Sequence, residues 1–388
     1  MSKLYRYGFQ CIDEDDISAL CQGLRGELIT NGPNVAAFEE AVARRCGAAH
    51  AVAVSCGSAA LQLTAQAVGM GPGKRAWTSA MTFVGAANAI TASGATPGFV
   101  DIDPHTFNVT PETFEAALVE AERHGELPDL FIPVHFAGQS CDMPGLSTVA
   151  RKWGVTIIED ACHALGAEVD GLPVGGCHSG SAAACFSLHP VKTITTGEGG
   201  LILTNDVSLA ARLRRMRNHG IGMQPTCADE PWRREMTDIG FNHRMTEFQA
   251  SLGLSQLRKL DTFLARRRAL AELYRHTFAH WPIRFQHGSS TAGHAHHLLP
   301  VLFDFDALGV GKRALFDQAA RHGIHLVVQY YPPPLHAYYR RLGYTEGQFP
   351  GAEAFYRQSF CLPIHPSLNE ADIADIHQRL GDAVAAAR

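Results

Sequence analysis

The chain has 388 residues, of which 46% are hydrophobic and 18% charged, and its formal net charge is -5. This composition is ordinary for a globular enzyme and excludes a disordered or fibrous protein. Scattered Lys and Arg residues offer no basic stripe for nucleic acid. No apolar run could span a bilayer, no apolar leader segment is present, and the cysteines form no C-x-x-C pair. We therefore expect a reduced, cytoplasmic protein that binds neither nucleic acid nor membranes.

Seven short apolar or β-branched runs alternate with helix-length segments between residues 51 and 204. This alternation predicts an α/β fold with a mostly parallel, seven-stranded sheet. The predicted strands are Ala51–Val54, Arg75–Thr78, Gly98–Asp101, Leu130–Val134, Thr156–Glu159, Ala183–Ser187 and Leu201–Thr204. Helices are predicted between them at Ala59–Val68, Phe83–Ala92, Pro111–His124 and Leu146–Trp153.

The pattern changes after Leu254. A long charged helix is predicted at Gln256–His276, followed by the proline-rich loop Pro332–Pro334 and a last helix from Glu370 onward. We expect a large domain over residues 1–260, with an N-terminal arm, and a smaller C-terminal α+β domain over residues 261–388.

Three loops that follow predicted strands carry the chemistry, because ligands of open α/β sheets bind at the carboxyl ends of the strands. The first loop, Ser55–Ala60, opens a helix whose free N–H groups and dipole favour an anion such as phosphate. Gly57 permits close backbone approach, and the hydroxyl of Ser58 can cap the helix and donate to a phosphate oxygen. An ordinary serine cap is the simpler interpretation of this loop.

In the second loop, an apolar strand runs directly into Glu159, Asp160 and, after two further residues, His163. A buried carboxylate needs a cation to offset its desolvation, and a protonated pyridine nitrogen would serve. Alternatively, Asp160 caps the next helix and His163 is a histidine of the core.

The third loop contains a single lysine, Lys192, among apolar, hydroxyl and glycine residues. Burial at such a position lowers the pKa of the amine and makes it available for imine formation. A solvated loop lysine is the alternative. It is disfavoured by the nearby polar cluster of Ser187, His189, Thr195 and Thr196, which a plain connection does not need.

An anion site, a buried acid and an isolated lysine are together the parts that pyridoxal phosphate requires. They would act as a phosphate anchor, a partner for the pyridinium nitrogen and an amine for the covalent bond. The sequence therefore predicts a pyridoxal-phosphate enzyme.

A metal site was the competing prediction for the histidine-rich segment His294, His296 and His297. No Cys or carboxylate lies nearby at the spacing that zinc sites use, so we predict no metal.

The motifs around these loops resemble the DegT-type sugar aminotransferases. The resemblance rests on Glu159–Gly166, His189–Lys192 and Thr195–Gly200, and it extends to Tyr7–Ile17, Thr30–Pro33, Phe38-Glu39, Glu235–Ala250 and Phe349–Glu353, which are similar to the pseudaminic acid branch. It implies the fold-type-I architecture of pyridoxal-phosphate transferases and a homodimer with active sites shared between the subunits.

The resemblance also implies roles for single residues. Lys192 would be the Schiff-base lysine, Asp160 the pyridinium partner and His163 a residue that contacts the ring. The other implied contacts are a phosphate site of Gly57, Ser58 and Ser187, Phe83 against the ring, and Asn242 reaching the phosphate from the other subunit.

The implied activity is transamination of a keto-sugar, with a UDP-4-keto-6-deoxy-N-acetylhexosamine as substrate and L-glutamate as amino donor. Alternatives are an 8-amino-3,8-dideoxy-octulosonate aminotransferase, a sugar dehydratase and a non-catalytic regulator of the same fold. Lys192 disfavours the dehydratase, which characteristically has histidine at that position. Ser58 stands where threonine is usual, a mild change that keeps the hydroxyl. Gln329 departs from the histidine that is common in this branch near the sugar, so the resemblance implies the reaction more strongly than the sugar.

Overall fold

The computed structural model describes residues 3–222, 228–288 and 293–388. Its helices are α1 (Glu14–Arg25), α2 (Pro33–Cys46), α3 (Gly57–Ala67), α4 (Val84–Ala92), α5 (Pro111–His124), α6 (Met143–Trp153), α7 (Val207–Met216), α8 (Glu247–Thr277), α9 (Phe305–Leu308), α10 (Lys312–Arg321), α11 (Ala337–Arg340), α12 (Pro350–Gln358) and α13 (Glu370–Ala387). Its strands are β1 (His50–Val54), β2 (Arg75–Ser79), β3 (Thr96–Val100), β4 (Leu130–Ile132), β5 (Thr156–Asp160), β6 (Glu168–Val169), β7 (Leu172–Pro173), β8 (Ala183–Ser187), β9 (Gly200–Thr204), β10 (Ile283–Phe285), β11 (Leu299–Phe303) and β12 (Ser359–Leu362).

The central sheet has seven strands in the order β1-β9-β8-β5-β4-β2-β3. Strand β9 is antiparallel to both of its neighbours, and the pairs from β8 to β3 are parallel. The predicted mostly parallel sheet is therefore confirmed, with each strand end within two residues of its predicted position. Strand β4 is buried throughout and β5 is buried after its first residue, as expected of strands with helices on both faces.

The predicted long helix begins nine residues earlier than expected, at Glu247 rather than Gln256. Thr246 and Gln249 form a reciprocal capping box there, which satisfies N–H groups of the first helical turn. Helix α8 packs against α1, α2 and α13, so it lies along both halves of the chain.

A second core forms around the antiparallel sheet β10-β11-β12 and helices α10 and α13. It also contains the last turns of α8 and Tyr5 from the N-terminal arm, whose backbone pairs with Ile324. The structure therefore has the expected smaller α+β part. A division at residue 260 stays a prediction, and it would fall inside α8.

Within the described ranges, the structure contains no helix that is both long and apolar enough to cross a membrane.

Glu247 provides a stability test of the junction between α2 and α8. Its buried carboxylate accepts hydrogen bonds from the backbone N–H groups of Gly32 at 2.9 Å and Asn34 at 2.6 Å, at a helix start where Gly32 supplies no capping side chain. We predict that Glu247→Ala lowers the free energy of unfolding by about 1–2 kcal/mol, because it leaves the half-buried N–H groups of Gly32 and Asn34 without this acceptor. Urea unfolding followed by circular dichroism measures this.

Glu40→Ala is the matched control, because Glu40 lies on the exposed face of the same helix α2 and pairs only with exposed Arg44. It should change the free energy of unfolding by less than about 0.5 kcal/mol. Equal effects of the two substitutions would contradict the capping role of Glu247.

Candidate active site

A cavity of about 650 Å³ lies at the carboxyl ends of the parallel strands. Its wall combines the loop after β1, the loop after β2, the last residue of β5, the end of β8 and the loop that follows β8. Seven of the eight predicted site residues line it, namely Gly57, Ser58, Phe83, Asp160, His163, Ser187 and Lys192. Its volume lies within the range of small-molecule sites.

The predicted anion site lies at the N-terminus of α3, which begins at Gly57. The expectation that Ser58 caps this helix is wrong. The capping residue is Cys56, whose Sγ accepts from the N–H of Ala59 at 3.4 Å, and Ser58 lies one residue inside the helix with its side chain exposed at the cavity. The Ser58 hydroxyl does not cap the helix and can instead donate to a ligand in the cavity.

Gly57 is required by the packing of this turn. A Cβ atom at position 57 would lie 2.8 Å from Cβ of Ser187 and 3.3 Å from Sγ of Cys162. Any side chain would push α3 away from the ends of β5 and β8. The glycine thus keeps the positive end of the helix dipole at the cavity.

Asp160 ends β5 with a buried carboxyl group. One oxygen accepts from the N–H of Cys162 at 3.1 Å. Burial raises the pKa of Asp160, although the Cys162 hydrogen bonds and the positive charge of Lys192 act in the opposite direction. A cationic ligand group beside this carboxyl would offset the cost of its burial.

His163 is held as a neutral imidazole. Its Nδ1 accepts from the N–H of Ala137 at 3.3 Å, so its proton is on Nε2, which lies 3.1 Å from the hydroxyl oxygen of Tyr330. Burial, together with the charge of Lys192, brings the pKa of His163 well below its usual value. The ring therefore presents an uncharged surface to the cavity.

Two threonines of the predicted polar cluster organise the loop that carries Lys192. Thr195 Oγ1 donates to the carbonyl of Leu188 at 2.9 Å, and Thr196 Oγ1 donates to the carbonyl of Glu198 at 2.7 Å. Both threonines are buried. The cluster thus divides into residues that fold the loop and residues that line the cavity, namely Ser187 and His189.

Lys192 reaches the cavity with a perturbed amine. Burial lowers the pKa of Lys192, against the opposing charges of Cys162 and Asp160. Its Nζ lies 3.4 Å from Nε2 of His297. A larger fraction of neutral amine than in a solvated lysine follows, as nucleophilic attack on an aldehyde requires.

Asn242 lies outside this cavity, on an exposed part of the same chain. Phe83 is 55% exposed, and its ring centroid lies 5.5 Å from that of Tyr330 at the cavity wall. The roles of both residues stay predictions.

Three polar residues of the cavity wall lie far along the chain from the three loops and were not among the predicted site residues: Tyr7, His297 and Tyr330. His297 belonged to the histidine cluster considered for metal. The structure separates that cluster, because His294 accepts from the N–H of His296 and contacts Gln286, whereas His297 points to Lys192. Within the described residues, no group of three or more His, Cys, Asp or Glu side chains could hold a metal ion.

The arrangement fits pyridoxal phosphate. The start of α3 offers an anion site with no room for a side chain at Gly57, Asp160 is a buried acid without an ion pair among the described residues, and Lys192 is an amine with a lowered pKa. These groups match the phosphate, the ring nitrogen and the aldehyde of that cofactor.

Comparisons with known proteins identify a family that this chain matches over most of its length. The model of the DegT/DnrJ/EryC1/StrS aminotransferase family matches residues 10–381. The spore coat polysaccharide biosynthesis protein SpsC of Bacillus subtilis is 34% identical over 97% of this chain and 96% of its own length.

Two solved structures are also similar. Helicobacter pylori PseC, an aminotransferase involved in the biosynthesis of pseudoaminic acid, has a TM-score of 0.90 and 28% identity, and 99% of this chain and 100% of that chain are covered. The putative sugar aminotransferase Spr1654 from Streptococcus pneumoniae, in its PMP form, has a TM-score of 0.88 and 26% identity over 98% of each chain.

Gly57→Ala tests the anion site. We predict that it weakens binding of pyridoxal phosphate about tenfold or more, because the added Cβ displaces the helix start from Ser187. Equilibrium dialysis with the cofactor-free protein measures the affinity. Gly381→Ala is the control, since a Cβ there meets open space within the helix α13, and it should leave the affinity unchanged.

Proposed function

Because this chain belongs to the DegT/DnrJ/EryC1/StrS aminotransferase family, we propose that it transfers the amino group of L-glutamate to a UDP-4-keto-6-deoxy-N-acetylhexosamine. The predicted class of enzyme, a sugar aminotransferase that uses pyridoxal 5′-phosphate, is confirmed by the family match. The observation that carries the proposal is the convergence of Lys192, Asp160 and the start of α3 on one cavity.

Pyridoxal phosphate, when bound, supplies an aldehyde for covalent attachment and a ring that withdraws electrons from the reacting carbon. Asp160 would hold the proton on the ring nitrogen, and Gly57, Ser58 and Ser187 would bind the phosphate. Lys192 would hold the cofactor covalently in the resting enzyme. Once released, its Nζ would take the α-proton from glutamate and, in the second half-reaction, would give a proton to the sugar carbon that receives the amino group.

A sugar substrate is supported by the polar part of the cavity wall. Tyr7, Glu198 and Gln329 line the same cavity and can exchange hydrogen bonds with sugar hydroxyl groups. Gln329 also has a buried side-chain oxygen that accepts no hydrogen bond from the residues that the structure describes. The functions printed for SpsC and PseC, polysaccharide and pseudoaminic acid biosynthesis, support the same substrate class.

The test uses purified protein loaded with pyridoxal phosphate. L-Glutamate should bleach the visible absorption band of the bound cofactor and release one equivalent of 2-oxoglutarate, and the correct keto-sugar should then restore the band. Initial-rate plots should give parallel double-reciprocal lines, because both substrates use one site in turn. Intersecting lines would contradict this scheme.

Lys192→Ala should lose the covalent band and at least about 10³-fold of turnover, because no other amine is placed to replace it. Lys152→Ala, which removes an exposed lysine paired with Glu115, is the control and should keep both. Retention of band and turnover in Lys192→Ala would refute the assignment. Restoration of the band by a keto-octulosonate, and not by the UDP-sugar, would refute the proposed substrate.

We further propose a homodimer in which Asn242 reaches the partner's site. In one chain Asn242 is exposed and lies outside the cavity that its own Lys192 enters. Leu28, Ile29 and Ile239 are apolar side chains that are 52%, 52% and 72% exposed, and their exposure supports an interface with a second copy of the chain.

Mixed dimers test this sharing. Lys192→Ala and Asn242→Ala are both expected to be poorly active alone, but unfolding and refolding them together should recover about one quarter of the wild-type activity. Half of the dimers would then be mixed, and each mixed dimer would contain one intact site. If Asn242 serves its own chain, the mixture recovers nothing, since every site lacks one of the two residues.

A further inference from the structure

His297 is a buried cavity residue to which the proposed reaction assigns no role. It is 2% exposed and precedes β11, far along the chain from the loop of Lys192. Its Nε2 lies 3.4 Å from Nζ of Lys192, and its Nδ1 is buried without a hydrogen-bond partner among the described residues. Among the described residues, the imidazole of His297 therefore makes its hydrogen-bonding contact with Lys192.

The backbone around His297 is held in place independently of the ring. The Nη1 group of Arg267 donates to the carbonyls of His296 at 3.1 Å and His297 at 3.4 Å, and the N–H of Leu298 donates to the carbonyl of Ala137 at 3.2 Å. Arg267 is itself 1% exposed. Because these bonds involve only the backbone around His297, they should keep that backbone at the cavity wall when the side chain is replaced.

The charges around the pair favour a neutral imidazole. The titratable groups that face Lys192 or His297 are Asp160, Cys162, His163, His189 and Arg267. Burial lowers the pKa of His297 well below its usual value, and the positive charges of Lys192 and Arg267 act in the same direction. Two cations 3.4 Å apart in a buried site would repel each other strongly, so the imidazole is neutral and its Nε2 can accept a hydrogen bond from the amine.

We propose that His297 is a positioning residue for Lys192, whose Nζ donates to its Nε2 and is thereby held at the cavity wall. The role as a partner of the reactive amine rests on the proposed function of Lys192. The contact joins two side chains of this chain, so its effect can be measured in cofactor-free protein.

The experiment measures the pKa of Lys192 in folded, cofactor-free protein. Acetic anhydride is applied over a range of pH values, and acetylation of the peptide that contains Lys192 is quantified by mass spectrometry. His297→Leu should lower the pKa of Lys192 by about one unit, because the ammonium loses its hydrogen-bond acceptor while staying buried. His297→Gln should stay near the wild-type value, since its carboxamide oxygen can accept in place of Nε2.

His297→Asn separates positioning from general damage to the core. Its carboxamide is as polar as that of glutamine but one methylene shorter, so it should show the lowered pKa that His297→Gln does not. His294→Gln, at a buried histidine of the same segment that does not line the cavity, should leave the pKa of Lys192 unchanged.

The proposal is overturned if folded His297→Leu has the wild-type or a higher pKa at Lys192, or if the Asn and Gln variants behave alike. No sugar, amino donor or cofactor enters this measurement. If the proposed transamination is not observed, the pKa of Lys192 can still be measured and compared between the variants. If the substitutions at His297 do not change that pKa, the transamination test is unaffected.

Discussion

A carboxyl group buried at the end of one strand is the constraint on which the site depends. Asp160 lies at the carboxyl end of β5, where burial raises its pKa, and it forms no ion pair within the described part of the chain. A protein retains such a group at a cost unless a ligand supplies the compensating positive charge. We propose that the pyridinium nitrogen of pyridoxal phosphate would supply this charge and that the carboxylate would in turn keep that nitrogen protonated.

The parallel sheet brings the other reactive groups to this carboxyl. Strand β8 pairs directly with β5 in the same direction, so Ser187 and the loop with Lys192 start from the edge at which Asp160 lies. Strand β1 also ends at this edge, where α3 turns its N-terminus into the cavity. Three chemical functions that are separated by tens of residues along the chain thus meet because their strands run in one direction.

The C-terminal part of the chain has its own core and also contributes to the wall of the cavity. Tyr330 contacts His163 at 3.1 Å, and His297 contacts Lys192 at 3.4 Å. Burial lowers the pKa of both His163 and His297, so these two imidazoles and the phenol of Tyr330 shape the site without adding charge. A substrate would accordingly be bound between groups from both halves of the fold, which lets one half determine the chemistry and the other contribute to the choice of sugar.

The sequence by itself determined the seven strands, the parallel sheet and the three reactive loops, because β-branched runs, strand-end polar residues and glycines report local backbone preferences and burial. It did not determine that Cys56 caps α3, that α8 begins at Glu247, or that His297 and Tyr330 enter the cavity. These features depend on which distant segments pack together, and no local pattern encodes the distance between residues 192 and 297. Only the tertiary structure, which places the segment before β11 against the turn that follows β4, decided the position of His297.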